Sequence, residues 1–371
     1  MRITREKNMA FADQPEPIQA KEVAQRIQSR KALKRLGPAQ LDIRLPGVFQ
    51  DQPKIEYGKD ELGNPVLRLD NFRVGELDLP PDIETKGFET LGNKSDKFNQ
   101  ALVTQGYLPD HLDLRPIPKK LPRKLQTAQL LRAYPMEERG KFGYRATTIF
   151  PPDQRYIFYD TSYPWCTCGR VDTPLGYGSG VMVGPRHLLT VSHLIQWNAN
   201  NTAGWVQFRP HYYAPSAPFG DCWGIRVYYK YKVVGPTVDW IEGMYDYVIV
   251  VLDRRKGDWT GWMGSRGYTD AWDGSAYWSH IGYPGDLTSG NRPIFQGSIS
   301  LDGLWWEFDS HETMEHHGDV WPGQSGGPYF GWWDDGPYAV ATQSGQNSDE
   351  NTASGGQDLV DLVLRARADY P

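Results

Sequence analysis

Gly323-Gln324-Ser325-Gly326-Gly327-Pro328 sets a serine among glycines in a tight turn, after a polar stretch and ahead of Tyr329-Phe330. A serine hydroxyl is a weak nucleophile until a base takes its proton and nearby amides hold the charge that develops on the attacked oxygen. Glycine at 323 lets the backbone turn its N–H toward the same point as the N–H of Ser325. Ser-Gly-Gly also occurs in plain linkers, so the rest of the chain has to supply the base.

Upstream, Gly178-Ser179-Gly180-Val181-Met182-Val183 is followed by the turn Gly184-Pro185 and a second apolar strand, Leu188-Leu189-Thr190-Val191. His193 stands just past that strand's end. Between histidine and serine, Asp246 opens the apolar run Tyr247-Val248-Ile249-Val250-Val251-Leu252. Taken singly, His193 is an ordinary strand-end histidine and Asp246 an ordinary strand start. Neither reading explains why both stand in order with the serine turn. Together they fit a triad in which Ser325 attacks a carbonyl, His193 takes and returns its proton, and Asp246 fixes the imidazole.

From about residue 145 to 371 the chain resembles a trypsin/chymotrypsin-clan serine endopeptidase, and within it the bacterial and fungal glutamyl-endopeptidase-like branch. The resemblance rests on Leu189-Thr190-Val191-Ser192-His193, Asp246-Tyr247-Val248-Ile249, Gly261-Trp262-Met263-Gly264 and Gly282-Tyr283-Pro284-Gly285. It extends through the stretch from Asp319 to Pro328, Ala341-Thr342-Gln343-Ser344-Gly345 and Gly355-Gly356. It implies an all-β fold of two six-stranded antiparallel barrels, the first over about 145–262 and the second over about 263–371. Residues 1–144 are then a mixed, partly irregular extension or pro-segment. It also implies peptide hydrolysis through an acyl-enzyme, with an oxyanion hole formed by the amides of Gly323 and Ser325. A catalytically inactive binding module on the same scaffold is the alternative. An esterase of the α/β-hydrolase kind places its histidine last and does not fit.

For the substrate pocket, the resemblance points to Asp319, Gln343, Ser344 and Gly345. Asp319 lies six positions before Ser325, where trypsin-like relatives keep the acid that selects Lys or Arg. An equally good reading has it hydrogen-bond the nucleophile loop and never meet substrate. The glutamyl-specific relatives place a histidine where this chain has Gln343. Gln324, just before the nucleophile, carries no charge to pair with a freed terminal amine. The zymogen salt bridge of trypsin-like relatives is therefore not expected; the extension either regulates by steric cover or assisted folding, or packs permanently on the barrels as an extra structural layer.

Composition fits many short strands and turns: 39 Gly, 28 Pro and 13% aromatic residues in 371. A formal net charge of -5 gives no sign of a nucleic-acid or membrane-surface partner, and no apolar run is long enough for a membrane helix. The expected partner is a protein or peptide substrate, and the expected state a monomer without cofactor or metal. Three cysteines, Cys166, Cys168 and Cys222, allow one bridge and leave an odd thiol. The resemblance implies secretion, yet Asn8-Met9-Ala10-Phe11 contains no apolar leader core, and the compartment stays open.

Lys21 to Leu36 has the pattern of a basic amphipathic helix, with Val23, Ile27, Leu33 and Leu36 among charged residues. Beyond it, Leu79-Pro80-Pro81-Asp82 and the Pro-rich stretch 116–124 read as turns and linkers. Within the latter, the basic pairs Lys119-Lys120 and Arg123-Lys124 serve equally as exposed linker or processing sites. His311, His316 and His317, with Glu312 and Glu315, are expected to form a solvated loop rather than a zinc site. The 14 tryptophans are expected to fill cores.

Overall fold

The structure, a computed structural model, describes residues 14–19, 22–23, 25–26, 55–59, 65–69, 72–79, 103–121, 149–199, 202–235, 238, 240–303, 312–346 and 350–371. Most of the expected helix over 21–36, Pro80-Pro81-Asp82, Arg123-Lys124, the boundary at 144–148, Trp305-Trp306 and His311 lie outside these residues.

In chain order the extension supplies β1 (Ile55–Lys59), β2 (Pro65–Leu69), β3 (Arg73–Leu77) and β4 (Val103–Thr104). Then come β5 (Tyr156–Ile157), β6 (Cys168–Thr173), β7 (Gly176–Gly184), β8 (His187–Thr190), β9 (Thr202–Ala203), β10 (Gln207–Pro210), β11 (Cys222–Tyr229) and β12 (Val248–Leu252). The C-terminal part holds β13 (Gly264–Arg266), β14 (Trp278–Gly282), β15 (Ile294–Ile299), β16 (Leu301–Gly303), β17 (Glu312–His316), β18 (Pro328–Trp333), β19 (Gly336–Gln346) and β20 (Asn351–Gly355). Helix α1 (Gln357–Asp369) ends it.

The fold is all-β in two halves. Strands β10-β6-β7-β8-β12-β11 form a sheet that closes on itself, because β10 also pairs with β11. The second sheet runs β16-β17-β20-β19-β18-β14-β15-β5 and curls without such a closing pair among the described residues. Side-chain alternation explains why the first-barrel strands are apolar throughout. Val248, Val250 and Leu252 of β12 point into the barrel with Met182, Leu188 and Val227. Ile249 and Val251 point outward to a seam with Val181, Leu189, Phe330 and Trp332, the last two from the second sheet. Both faces are covered, so period-two polarity disappears.

Helix α1 departs from the sequence expectation, which carried the second barrel to residue 371. Leu359, Leu362, Val363 and Ala366 share one face of the helix and pack into the same seam. His187 at the start of β8 reaches the Ala366 carbonyl at 2.9 Å through Nε2. The helix thus closes the back of the seam. Trp272, Trp278 and Trp333 fill the second sheet's core as expected, tilted or edge-on at centroid distances of 5.5–6.2 Å, whereas Trp259 is exposed. All three cysteines are buried and unbridged, so the possible Cys222 bridge does not form.

The described parts of the extension are woven into both halves. β3 pairs antiparallel with β11, Arg73 opposite Tyr229 and Glu76 opposite Arg226. β4 pairs with β13, and isolated bridges tie Ile18 to Trp332, Tyr107 to Trp262 and Leu114 to Tyr163. Of the basic pair Lys119-Lys120, Lys119 donates its amide to Asp160, and Lys120 covers the ring of Tyr156.

Candidate active site

Strands β8 and β12 run antiparallel with Thr190 opposite Val248. The C-terminal end of one therefore lies beside the N-terminal end of the other. His193 follows the first and Asp246 precedes the second, so strand register alone brings them together. Asp246 is fully buried. Its Oδ1 accepts the His193 amide at 2.9 Å and its Oδ2 faces His193 Nδ1 at 2.6 Å. Next to the histidine, Ser192 donates to the Tyr231 carbonyl and accepts from the Val233 amide, each at 3.0 Å, which fixes the short turn.

Burial works against a charged imidazole, but the Asp246 charge and hydrogen bond outweigh it and hold His193 above its ordinary value. Asp246 is the mirror case. Burial would raise it, but His193 and then Ser344 hold it below the usual carboxylate range. A base must be neutral to accept a proton, so the histidine's titration sets the acid limb of any reaction it serves. Activity is expected to fall on acidification with a midpoint above the unperturbed histidine value of about 6.5. A kcat/KM profile against pH checks this; a midpoint below that value would contradict it.

The Ser325 turn sits between the halves. Gly323 and Gly326 adopt φ values of 101° and 81°, the left-handed region that favours glycine. β7 holds one flank of the turn. The Ser179 amide donates to the Ser325 carbonyl at 2.7 Å, and the Ser179 hydroxyl donates to the Gly323 carbonyl at 2.7 Å. β19 holds the other flank, where Gly326 N–H meets the Gln343 carbonyl and Gln343 N–H meets the Gly327 carbonyl, both at 2.8 Å. Among the described residues, the N–H groups of Gly323 and Ser325 donate to no protein acceptor. Over Gly178, the Ser325 carbonyl and the side chain of Leu194, the neighbour of His193, both come within 2.7 Å of where a Cβ would stand. The serine turn thus lies against the histidine turn.

The four pocket residues of the sequence reading separate. Both carboxylate oxygens of Asp319 are engaged, Oδ1 by the Phe150 amide and Oδ2 by the Gln154 amide, each at 2.8 Å. These are the contacts of an internal anchor. On β19, alternation sends Thr342 and Ser344 toward Asp246, where Ser344 Oγ donates to Oδ2 at 2.6 Å. Gln343 points the other way. Its Oε1 takes the Tyr329 hydroxyl at 2.7 Å and faces His316 Nε2 at 3.1 Å, while its Nε2 donates to the Gly345 carbonyl at 2.9 Å.

The Gly318 amide donates to His316 Nδ1 at 3.1 Å, which leaves the proton of the neutral ring on Nε2. Burial first and His280 second push His316 down to about 3. Glu312 and His316 are buried on a strand, which corrects the expected solvated loop. Their charged neighbourhood hid the strand, and the partners Tyr329 and Gln343 lie far along the chain.

Over 195 residues, the chain is 26% identical to glutamyl endopeptidase of Bacillus licheniformis. The likeness is to an endopeptidase of the glutamyl kind. The match takes in 52% of this chain, which spans 57% of the length of that relative. No family model matches the chain. Among solved structures, a Glu endopeptidase in complex with MPD is similar over 60% of this chain and 100% of its own, at 16% identity and a TM-score of 0.48. Protease Anisep from Arthrobacter nicotinovorans is similar over 58% of this chain and 99% of its own, at 19% identity and a TM-score of 0.42.

Proposed function

We propose that the chain is a serine endopeptidase that cleaves peptide bonds through an acyl-enzyme on Ser325. The observation that carries this reading is the pair of part-buried His193 and fully buried Asp246 lying against a serine turn whose Gly323 and Ser325 amides donate to no acceptor among the described residues. Ser325 Oγ adds to the peptide carbonyl as His193 Nε2 takes its proton. The Gly323 and Ser325 amides hold the oxyanion. Collapse of the adduct breaks the C–N bond, and the imidazolium gives its proton to the leaving amine. Water, deprotonated by His193, then frees the acid and restores Ser325. Asp246 keeps the imidazole Nδ1–H tautomer in place, and Ser344 steadies Asp246.

A fluorophosphonate probe with peptide mapping tests the assignment. Labelling of Ser325 together with peptide cleavage supports it. Cleavage without label at Ser325, or no cleavage at all, overturns it.

The groups we place around the residue before the scissile bond are neutral. Gln343 is an amide, and His316 is held uncharged at working pH by burial. The Asp319 carboxylate is occupied. The expected preference is a neutral, hydrogen-bonding side chain rather than strict Glu or Lys/Arg. A peptide-library profile checks this, and exclusive cleavage after Glu, Lys or Arg would contradict it.

A further inference from the structure

We propose that Arg155 is a positioning residue for the nucleophile turn, a brace that sets the oxyanion amides inside an uncut chain. The inference rests on the endopeptidase reading and extends it to what keeps the turn competent. The Arg155 side chain is completely enclosed. Its Nη2 meets Asp286 Oδ2 at 2.6 Å and Asp153 Oδ2 at 2.8 Å. Its Nε meets Asp153 Oδ1 at 3.0 Å, and its Nη1 donates to Gln324 Oε1 at 2.8 Å. Gln324 immediately precedes the nucleophile and is itself fully buried.

That last bond decides how the Gln324 amide lies. Its oxygen takes two donors, Arg155 Nη1 and the Trp321 amide at 3.0 Å. Its Nε2 must then turn to the Asp319 carbonyl, which it meets at 3.1 Å. The same segment grips the loop at its other end, through the Phe150 and Gln154 amides on Asp319. Asp286 adds a third tie, because its neighbour Gly285 donates to the Pro322 carbonyl at 2.8 Å. Residues 319–324 are therefore held from both ends by residues 150–155. The Gly323 amide and the peptide that carries the Ser325 amide fall in or beside this stretch.

An enclosed guanidinium is costly unless its donors are matched, and removing one partner leaves the others unsatisfied. The charge beside the nucleophile loop is supplied here by a side chain, so no freed chain terminus is needed. Arg155 touches no reacting atom in this scheme. It acts through Gln324 on the peptides that aim the oxyanion amides.

The test uses the full chain, with intact mass confirming that it is uncut. The wild type is expected to cleave a reporter peptide without prior processing. Arg155→Gln is expected to lower kcat by about 10²–10³-fold, the size of a lost oxyanion donor, with KM changed by less than about threefold. The rate of fluorophosphonate labelling should fall in parallel, and Arg155→Lys should recover part of it. Arg365→Gln, which removes a buried guanidinium paired with Asp369 on α1, should leave kcat near wild type.

If Arg155→Gln does not fold, Gln324→Met tests the same link and leaves the arginine–aspartate pairs in place. The same kcat loss is expected. Unchanged kcat in a folded Arg155→Gln or Gln324→Met protein overturns the brace, as does a wild type that gains activity only after cleavage of its chain. An inactive wild type without label at Ser325, cut or uncut, overturns the endopeptidase reading instead.

Discussion

Ser325→Ala is expected to lose about 10⁵–10⁶-fold in kcat, and His193→Ala about as much, because the members of a nucleophile–base pair act as one unit. Without the hydroxyl there is no acyl-enzyme. Without the imidazole the hydroxyl keeps its proton. The double variant should be little worse than either single one. What remains over the uncatalysed rate is owed to binding and to the Gly323 and Ser325 amides. Steady-state cleavage of a fluorogenic peptide, with active-site titration of the wild type, measures this. Robust turnover by Ser325→Ala protein would remove the serine from the mechanism. Ser325→Ala protein should melt close to wild type, whereas His193→Ala leaves the buried Asp246 carboxylate without its Nδ1 partner and should melt lower.

Asp246→Asn is expected to cost about 10⁴-fold in kcat while leaving the fold intact. The amide fits the same space, but it can present an N–H to His193 Nδ1 and so hold the wrong tautomer. Asp246 also accepts from the His193 amide and from Ser344, and asparagine cannot serve all three donors with one carbonyl oxygen. The variant's acid limb should move to lower pH, because the carboxylate that raises the imidazole is gone. Equal kcat at pH 7 would show that His193 does not depend on this acid. Ser344→Ala should have a smaller effect in the same direction.

The residues proposed as a triad were legible because each belongs to a short local pattern: a strand end, a strand start and a glycine turn. Register then joins His193 and Asp246 without further information, through Thr190 opposite Val248. What supports them was not legible. Arg155 and Gln324 are 169 positions apart, and Ser344 and Asp246 are 98 apart. Nothing local marks an arginine that will be enclosed: Asp153-Gln154 precede it and the short strand Tyr156–Ile157 follows. Ser344 was read as a pocket residue because it follows Gln343, but in a strand adjacent residues face opposite ways. Asp319 was legible as a special acid but not in its partners. The spacing of Leu359, Leu362, Val363 and Ala366 carries helix α1, while a fold of two barrels over the whole C-terminal part implies strands there.

The place of β3 bears on how the chain comes together over time. Arg73 and Tyr229 are neighbours in the sheet but roughly 150 positions apart, so their meeting waits on a large loop closure. In a chain made from its amino end, β3 exists long before β11 has been synthesised. Through that interval its N–H and C=O groups stay open to any other edge they meet. Seating β3 is then a late step, and its contacts act as a latch on a barrel that has already closed. Weakening them should speed the opening of the finished molecule far more than it slows its assembly.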